Sequence, residues 1–187
     1  MSRINQLNPE TATGRTKELL GAVKGKLGLV PNMTRAMANA PAVLDGYLQL
    51  SGALGKGTLP AKAREQIALA VAQANECDYC LAAHSAIGRM VGLTADQIRD
   101  SRLGTAVDSK TDALIRFARA VVDARGRVTD ADLDDVRAAG FGDDVIAEVV
   151  AHVALGVFTN YFNTVADTTL DFPQAPALTP SAPVEAV

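Results

Sequence analysis

Apolar residues recur at three- and four-residue spacing along most of the chain, and no segment sustains the strict alternation of a half-buried strand. Alanine, the strongest helix former, is abundant in the same stretches. An all-α fold follows, and the breaks between helices can be read from their chemistry. Thr16–Lys26 forms a first short helix ending at Gly28. Asn32–Asn39 and Pro41–Leu54 form two more, parted at Ala40, because the residue before a proline is driven out of helical conformation. Gly52, Gly55 and Gly57 mark a loop. Thr58 caps a helix over Pro60–Ala74, with the proline tolerated in its first turn. Cys77–Val91 follows and closes at Gly92. Thr94 with Gln97 makes a capping box for a short helix, Ser109–Arg125 is a longer one, and Thr129 with Asp132 opens another that Gly140 stops. The longest helix runs from Asp143 to about Asp167, with an apolar stripe wide enough for a central helix or one shared between subunits.

A chain of 187 residues suits one compact domain, expected over residues 1–172. Residues 173–187 hold four of the eight prolines and read as an extended or disordered tail. The net charge of -3 gives no footprint for nucleic acid or an anionic membrane, so neither is expected as a partner. The first ten residues carry no continuous apolar core. The apolar stretch Val145–Val165 is interrupted by Glu148, His152, Asn160 and Asn163, so no membrane span is expected and the reading is cytoplasmic.

The chain has only two cysteines, Cys77 and Cys80, three residues apart. In a reducing compartment such a pair points to catalysis, redox sensing or a metal rather than to a structural disulfide. On a helix, Cys77, Cys80 and His84 fall at i, i+3 and i+7, on one face with Ile87 and Val91. Cys77 sits in the first turn, where free N–H groups and the helix dipole favour a thiolate, although Glu76 and Asp78 oppose it. His84, one turn beyond Cys80, is a base beside a nucleophile. The helix-start argument thus favours Cys77 as the reactive thiol, and the nearness of His84 favours Cys80. In the preceding helix Glu65 has Ala61, Ala68, Leu69 and Ala72 as same-face neighbours, a setting that would bury a carboxylate, raise its pKa and make it a proton acceptor. A structural thiol pair and a zinc site of Cys77, Cys80, His84 and the distant His152 are the competing readings; the spacing does not fit the usual zinc fingers, so no metal and no cofactor are expected. Glu148 and His152, at i and i+4, read as a structural hydrogen bond or as a second acid–base couple.

Glu65, then eleven residues, then Cys77-Asp78-Tyr79-Cys80-Leu81-Ala82-Ala83-His84, resembles the signature of the alkylhydroperoxidase D-like, carboxymuconolactone decarboxylase superfamily, in particular its peroxidase-related branch. The likeness extends from about Leu27 to Pro173 through Val30-Pro31, Ala40-Pro41-Ala42-Val43-Leu44 and the segments Asn160–Asn163 and Asp171–Pro173. The resemblance implies an all-helical fold, assembly into a homotrimer or homohexamer, and reduction of hydroperoxides without a bound cofactor. In the implied scheme Cys80 attacks the peroxide and becomes a sulfenic acid, Cys77 resolves it as a disulfide, Glu65 and His84 relay protons, and a dithiol, thioredoxin-like or lipoyl reductant reopens the disulfide. The best-known members carry a histidine immediately before the second cysteine, where this chain has Tyr79. A neutral phenol is a poor base but can serve as a hydrogen-bond link. The alternatives to a thiol-dependent peroxidase are a thiol–disulfide relay or redox sensor, a lactone enzyme of the decarboxylase type, and a non-catalytic helical module.

Overall fold

The computed structural model describes residues 2–178, among which there are nine α-helices and no strand. They are α1 (Gly14–Leu27), α2 (Asn32–Met37), α3 (Pro41–Leu54), α4 (Ala61–Ala74), α5 (Asp78–Met90), α6 (Ala95–Arg102), α7 (Ser109–Asp123), α8 (Asp130–Ala138) and α9 (Asp143–Ala166). The helix ends follow the expected chemistry. Thr94 and Gln97 close a capping box on α6, Thr129 and Asp132 close one on α8, and Asp108 caps α7 by accepting the Thr111 N–H. α3 spans Pro41–Leu54 as expected, with Gly52 inside it rather than in the loop that follows. One cap differs from the sequence reading: Thr58 does not cap α4, because its hydroxyl donates to Glu148 on α9 instead. Pro60 takes the N-cap position, where its missing N–H costs nothing.

α4 is the hub: it packs against α5, α6, α7 and α9. Its sequence allows this, since Leu69, Ala70, Val71 and Ala72 are consecutive and fully buried, and its alanines let neighbouring backbones approach closely. α9 comes nearest at Gly156, where a Cβ would lie 2.8 Å from Val71 Cγ1. Two large apolar clusters result, beside a small third one of Leu69, Leu93 and Ile98. One gathers α4, α7, α8 and α9 around Ile67, Phe117, Val136 and Val149. The other gathers α1, α2 and α3 against the start of α5, and it contains Cys77, Tyr79 and Cys80 themselves. The cysteines therefore belong to a core.

α9 reaches the length and composition of a membrane-crossing helix, with mean hydropathy 1.5 over its best 18-residue window. Three of its polar residues nevertheless tie it to the rest of the fold: Glu148 to Thr58, Asn160 to Asn75 and Asn163 to Cys80. Residues 173–178 are not helical but are tied down: the Pro176 carbonyl accepts from the Arg102 guanidinium at 2.7 Å, and Ala175 packs on the cluster that holds the cysteines. Residues 179–187, the rest of the expected tail, lie outside the described residues.

Candidate active site

Only three residues separate α4 from α5. Asn75 closes α4, and Glu76 takes a left-handed φ of 51°, unusual for a residue with a side chain. The turn is fixed from both sides: the Cys77 N–H donates to the Ala72 carbonyl at 3.0 Å, and the Asn75 amide donates to Asn160 on α9 at 2.9 Å. This places Cys77 as the N-cap of α5 rather than within its first turn, with its sulfur accepting the Cys80 N–H at 3.4 Å.

The Cys77 thiol faces the Cys80 sulfur across 2.7 Å, and both residues are buried, with 2% and 3% of their surface exposed. Asn163 of α9 donates its amide to the Cys80 sulfur at 3.4 Å and to the Met33 sulfur at 3.1 Å. The hydrogen bond from Cys77 holds the Cys80 pKa below its ordinary value, helped against the cost of burial by Asn163, Asn160 and Thr159. Cys77 moves the opposite way: donating to Cys80, burial and the charge of Cys80 all keep it a thiol. The environment thus divides the pair into a Cys80 that ionises and a Cys77 that stays protonated. A thiolate so supported is a nucleophile, and a thiol beside it is placed to close a disulfide on it.

His84 is not hydrogen-bonded to either sulfur. Its Nδ1 lies 2.8 Å from Glu65 Oε2, joining α5 to α4 across nineteen residues of sequence. Burial opposes its cation, but the Glu65 carboxylate outweighs this and raises the His84 pKa above the ordinary imidazole value. The electrostatic partner of His84 in the pair is Cys77, whose thiolate it favours. Glu65 and His84 therefore come together as a proton-holding couple whose field favours the Cys77 thiolate, and the selection of Cys80 comes first from the Cys77 hydrogen bond and then from α9.

Tyr79 is brought close to the sulfurs but turned elsewhere. Its hydroxyl donates to Asp171 at 2.6 Å and accepts the Met33 N–H at 3.3 Å, while the same Asp171 oxygen accepts the Asn32 N–H at 2.7 Å. Burial and the Asp171 bond push its pKa well up, so it acts as a clasp between α5, α2 and the C-terminal segment. Tyr47 of α3, which the sequence did not single out, faces both Cys80 and Glu65; burial, then the charge of Cys80, raises its pKa. Thr159, Asn160 and Asn163 carried one signal in the sequence: polar side chains at helical spacing in an otherwise apolar segment.

Among the described residues no group of three or more His, Cys, Asp or Glu side chains is placed to hold a metal ion. A surface cavity of about 730 Å³ lies between α7 and α8 and has no thiol or histidine in its wall. Another, of about 390 Å³, opens onto Cys77.

Residues 41–124 match the model of the carboxymuconolactone decarboxylase family, a span that holds Glu65, both cysteines, Tyr79 and His84 and ends before α9. The fold is similar to the alkylhydroperoxidase AhpD core of a peroxidase-related protein from Ralstonia eutropha JMP134, at 27% identity and a TM-score of 0.81, covering 91% of this chain and 92% of that one. A peroxidase-related protein from Silicibacter sp. TM1040 superposes with a TM-score of 0.77 at 24% identity over 90% and 94% of the two chains. The debrominase Bmp8, in complex with 2,3,4-tribromopyrrole, shares the fold at 17% identity and a TM-score of 0.78, over 91% and 92%. No curated protein matches the sequence.

Proposed function

We propose that this chain, which belongs to the carboxymuconolactone decarboxylase superfamily with its alkylhydroperoxidase D-like fold, is a thiol-dependent peroxidase that cycles Cys77 and Cys80 between dithiol and disulfide. The observation that carries the reading is the division of the pair: an ionising Cys80 under the Asn163 amide, against a protonated Cys77 whose sulfur is 2.7 Å away. The Cys80 thiolate attacks the distal oxygen of a hydroperoxide, the O–O bond breaks, and the alkoxide takes a proton to leave as an alcohol. The Cys77 thiol then attacks the sulfenic acid sulfur, losing its proton and releasing water. The sum is one thiol, one thiolate, one hydroperoxide and one proton giving a disulfide, an alcohol and water. The His84–Glu65 couple holds that proton and, through its field on Cys77, eases the second step. A dithiol, thioredoxin-like or lipoyl reductant, in a reducing compartment such as the cytoplasm, returns the disulfide to the starting state.

The test is one equivalent of tert-butyl hydroperoxide followed by thiol counting and intact mass. Both thiols should disappear with a loss of two mass units; Cys77→Ser should stop at a Cys80 sulfenic acid, and Cys80→Ser should not react. Thiols that survive the peroxide for hours would overturn the reading. One observation favours a second reading, a thiol–disulfide relay without peroxidase turnover: the cavity beside the pair opens onto Cys77 rather than Cys80. That reading expects rapid exchange with dithiols and slow reaction with peroxide.

Assembly into a homotrimer or homohexamer belongs to the same proposal. Val150, Phe158, Tyr161 and Val165 form an exposed apolar line along α9, the surface on which a second copy would pack. Sedimentation of a Tyr161→Asp variant, expected to shift toward monomer, tests it.

A further inference from the structure

The cleft at Cys77 carries a charge pattern that the peroxide reaction does not use. Glu76, Asp78 and Asp167 line it, and no lysine, arginine or histidine does. Arg102 lies near Asp78, but its guanidinium is engaged by Gln73 at 2.9 Å and by the Pro176 carbonyl. Two buried polar atoms of the same wall have no partner: Asn163 Oδ1 and Thr168 Oγ1, on residues only 3% and 9% exposed. The amide nitrogen of Asn163 is committed to the Met33 and Cys80 sulfurs, which leaves the oxygen of this cleft-lining residue as an unpartnered acceptor. Buried polar atoms are almost always paired, and an unpaired acceptor in a cavity wall asks for a ligand that donates.

The geometry points to this cleft as the entry for the reducing thiol, and to a thiol that carries a protonated amine. The inference rests on the reading of Cys77 and Cys80 as a cycling disulfide and names the class of reductant that the cycle takes. A thiolate entering here meets Cys77, which lines the cleft, whereas Cys80 does not. Its attack forms a mixed disulfide with Cys77 and breaks the intramolecular S–S bond, whose electron pair leaves on Cys80. Exchange favours the leaving sulfur of lower pKa, and Cys80 is that sulfur. A second thiol then displaces Cys77 from the mixed disulfide, yielding the oxidised reductant and a Cys77 that takes up the proton the second thiol released. The ammonium of an aminothiol brings three N–H donors and a positive charge to Asn163 Oδ1, Thr168 Oγ1 and the three carboxylates. A carboxylate or sulfonate in the same place would meet like charge from Glu76, Asp78 and Asp167, with no cation in the lining to offset it.

Three two-carbon thiols separate these effects: cysteamine, 2-mercaptoethanol and 2-mercaptoethanesulfonate. The disulfide is formed with diamide, so the measurement does not depend on peroxide, and its reduction is followed by trapping the released protein thiols. Per thiolate, cysteamine should reduce the disulfide at least about tenfold faster than the sulfonate at low ionic strength, with the neutral thiol between them. The spread should collapse toward unity at high salt and in the triple variant E76Q, D78N, D167N, and Thr168→Val should slow cysteamine more than 2-mercaptoethanol. Equal rates for the three thiols, a faster sulfonate, or a spread indifferent to both salt and the triple variant would overturn the inference. A protein that shows this order but ignores hydroperoxide would sink the peroxidase reading alone; one that turns over hydroperoxide without the order would sink this inference alone.

Discussion

The chain contains two histidines, and each has a glutamate near it, but the two pairs do opposite things. Glu148 and His152 stand one turn apart on α9, the spacing that marks an acid–base couple in a sequence. Glu65 and His84 lie on different helices. Yet the second pair is the close one, 2.8 Å against 3.8 Å between His152 Nε2 and Glu148. Glu148 has prior obligations: one of its oxygens accepts the Thr58 N–H at 2.8 Å and the Thr58 hydroxyl at 2.6 Å, and the other accepts the Leu59 N–H at 3.1 Å. The carboxylate sits over Gly57, whose absent Cβ leaves it room. It therefore fastens the α3–α4 loop, and His152 is left buried with an unpartnered Nε2 and a pKa that burial lowers. Proximity along a helix does not make a couple when the carboxylate is already saturated.

The sharpest way to break this comparison is to neutralise the two carboxylates in turn. Glu65→Gln removes the charge that holds the His84 proton, and peroxide turnover should fall by about two orders of magnitude, within the usual range for an acid–base group. Its thermal unfolding should move little. If turnover survives in Glu65→Gln, the couple is as structural as Glu148.

Glu148→Gln should reverse the pattern. A carboxylate accepting three hydrogen bonds gives way to an amide oxygen that can keep only some of them, and hydrogen bonds to charged groups are worth about 1.5–3 kcal/mol each. A loss of about 2 kcal/mol is expected in denaturant unfolding, with thiol reactivity per folded molecule unchanged. Since folding holds this carboxyl below its ordinary pKa, its stabilisation is complete above that value and is lost as the pH falls through the folded pKa, so the wild type and the variant should converge in acid.

The same contrast explains what could be read before folding. Helix positions and capping boxes were legible because they depend on neighbours within four residues, as in Thr94 with Gln97. The grouping of Cys77, Cys80 and His84 was legible for the same reason, and Glu65 as the tail of an apolar helix face. What escaped was every contact set by docking. Asn163 reaches Cys80 from 83 residues away, Asp171 reaches Tyr79 from 92, and Glu148 reaches Thr58 from 90. Spacing supported Cys80 as the nucleophile through His84, whereas the support in the folded chain comes from the Cys77 hydrogen bond and then from Asn163, Asn160 and Thr159. Tyr79, read as a hydrogen-bond link, has its hydroxyl bound to Asp171.

The smallest effect is the most direct comparison of the two imidazoles, and it needs no change to either carboxylate. With only two histidines in the chain, their ring protons can be followed by NMR and assigned with a single His152→Phe variant. The His84 midpoint should lie above the ordinary value near 6.5 and the His152 midpoint below it. Their linkage to stability then has opposite signs. Folding raises the His84 pKa, so its contribution is full below about 6.5 and is lost as the pH rises through the folded value; folding lowers the His152 pKa, so its contribution is full above about 6.5 and is lost as the pH falls through the folded value. In a background with both cysteines replaced by serine, which removes thiol titration, the two slopes should meet in a stability maximum at about 6.5, climbing below it and declining above it. His152→Phe should unmask stability that declines with rising pH, and His84→Phe stability that climbs. Midpoints on the same side of 6.5, or slopes of the same sign in the two variants, would mean that Glu65 and Glu148 act on their histidines alike.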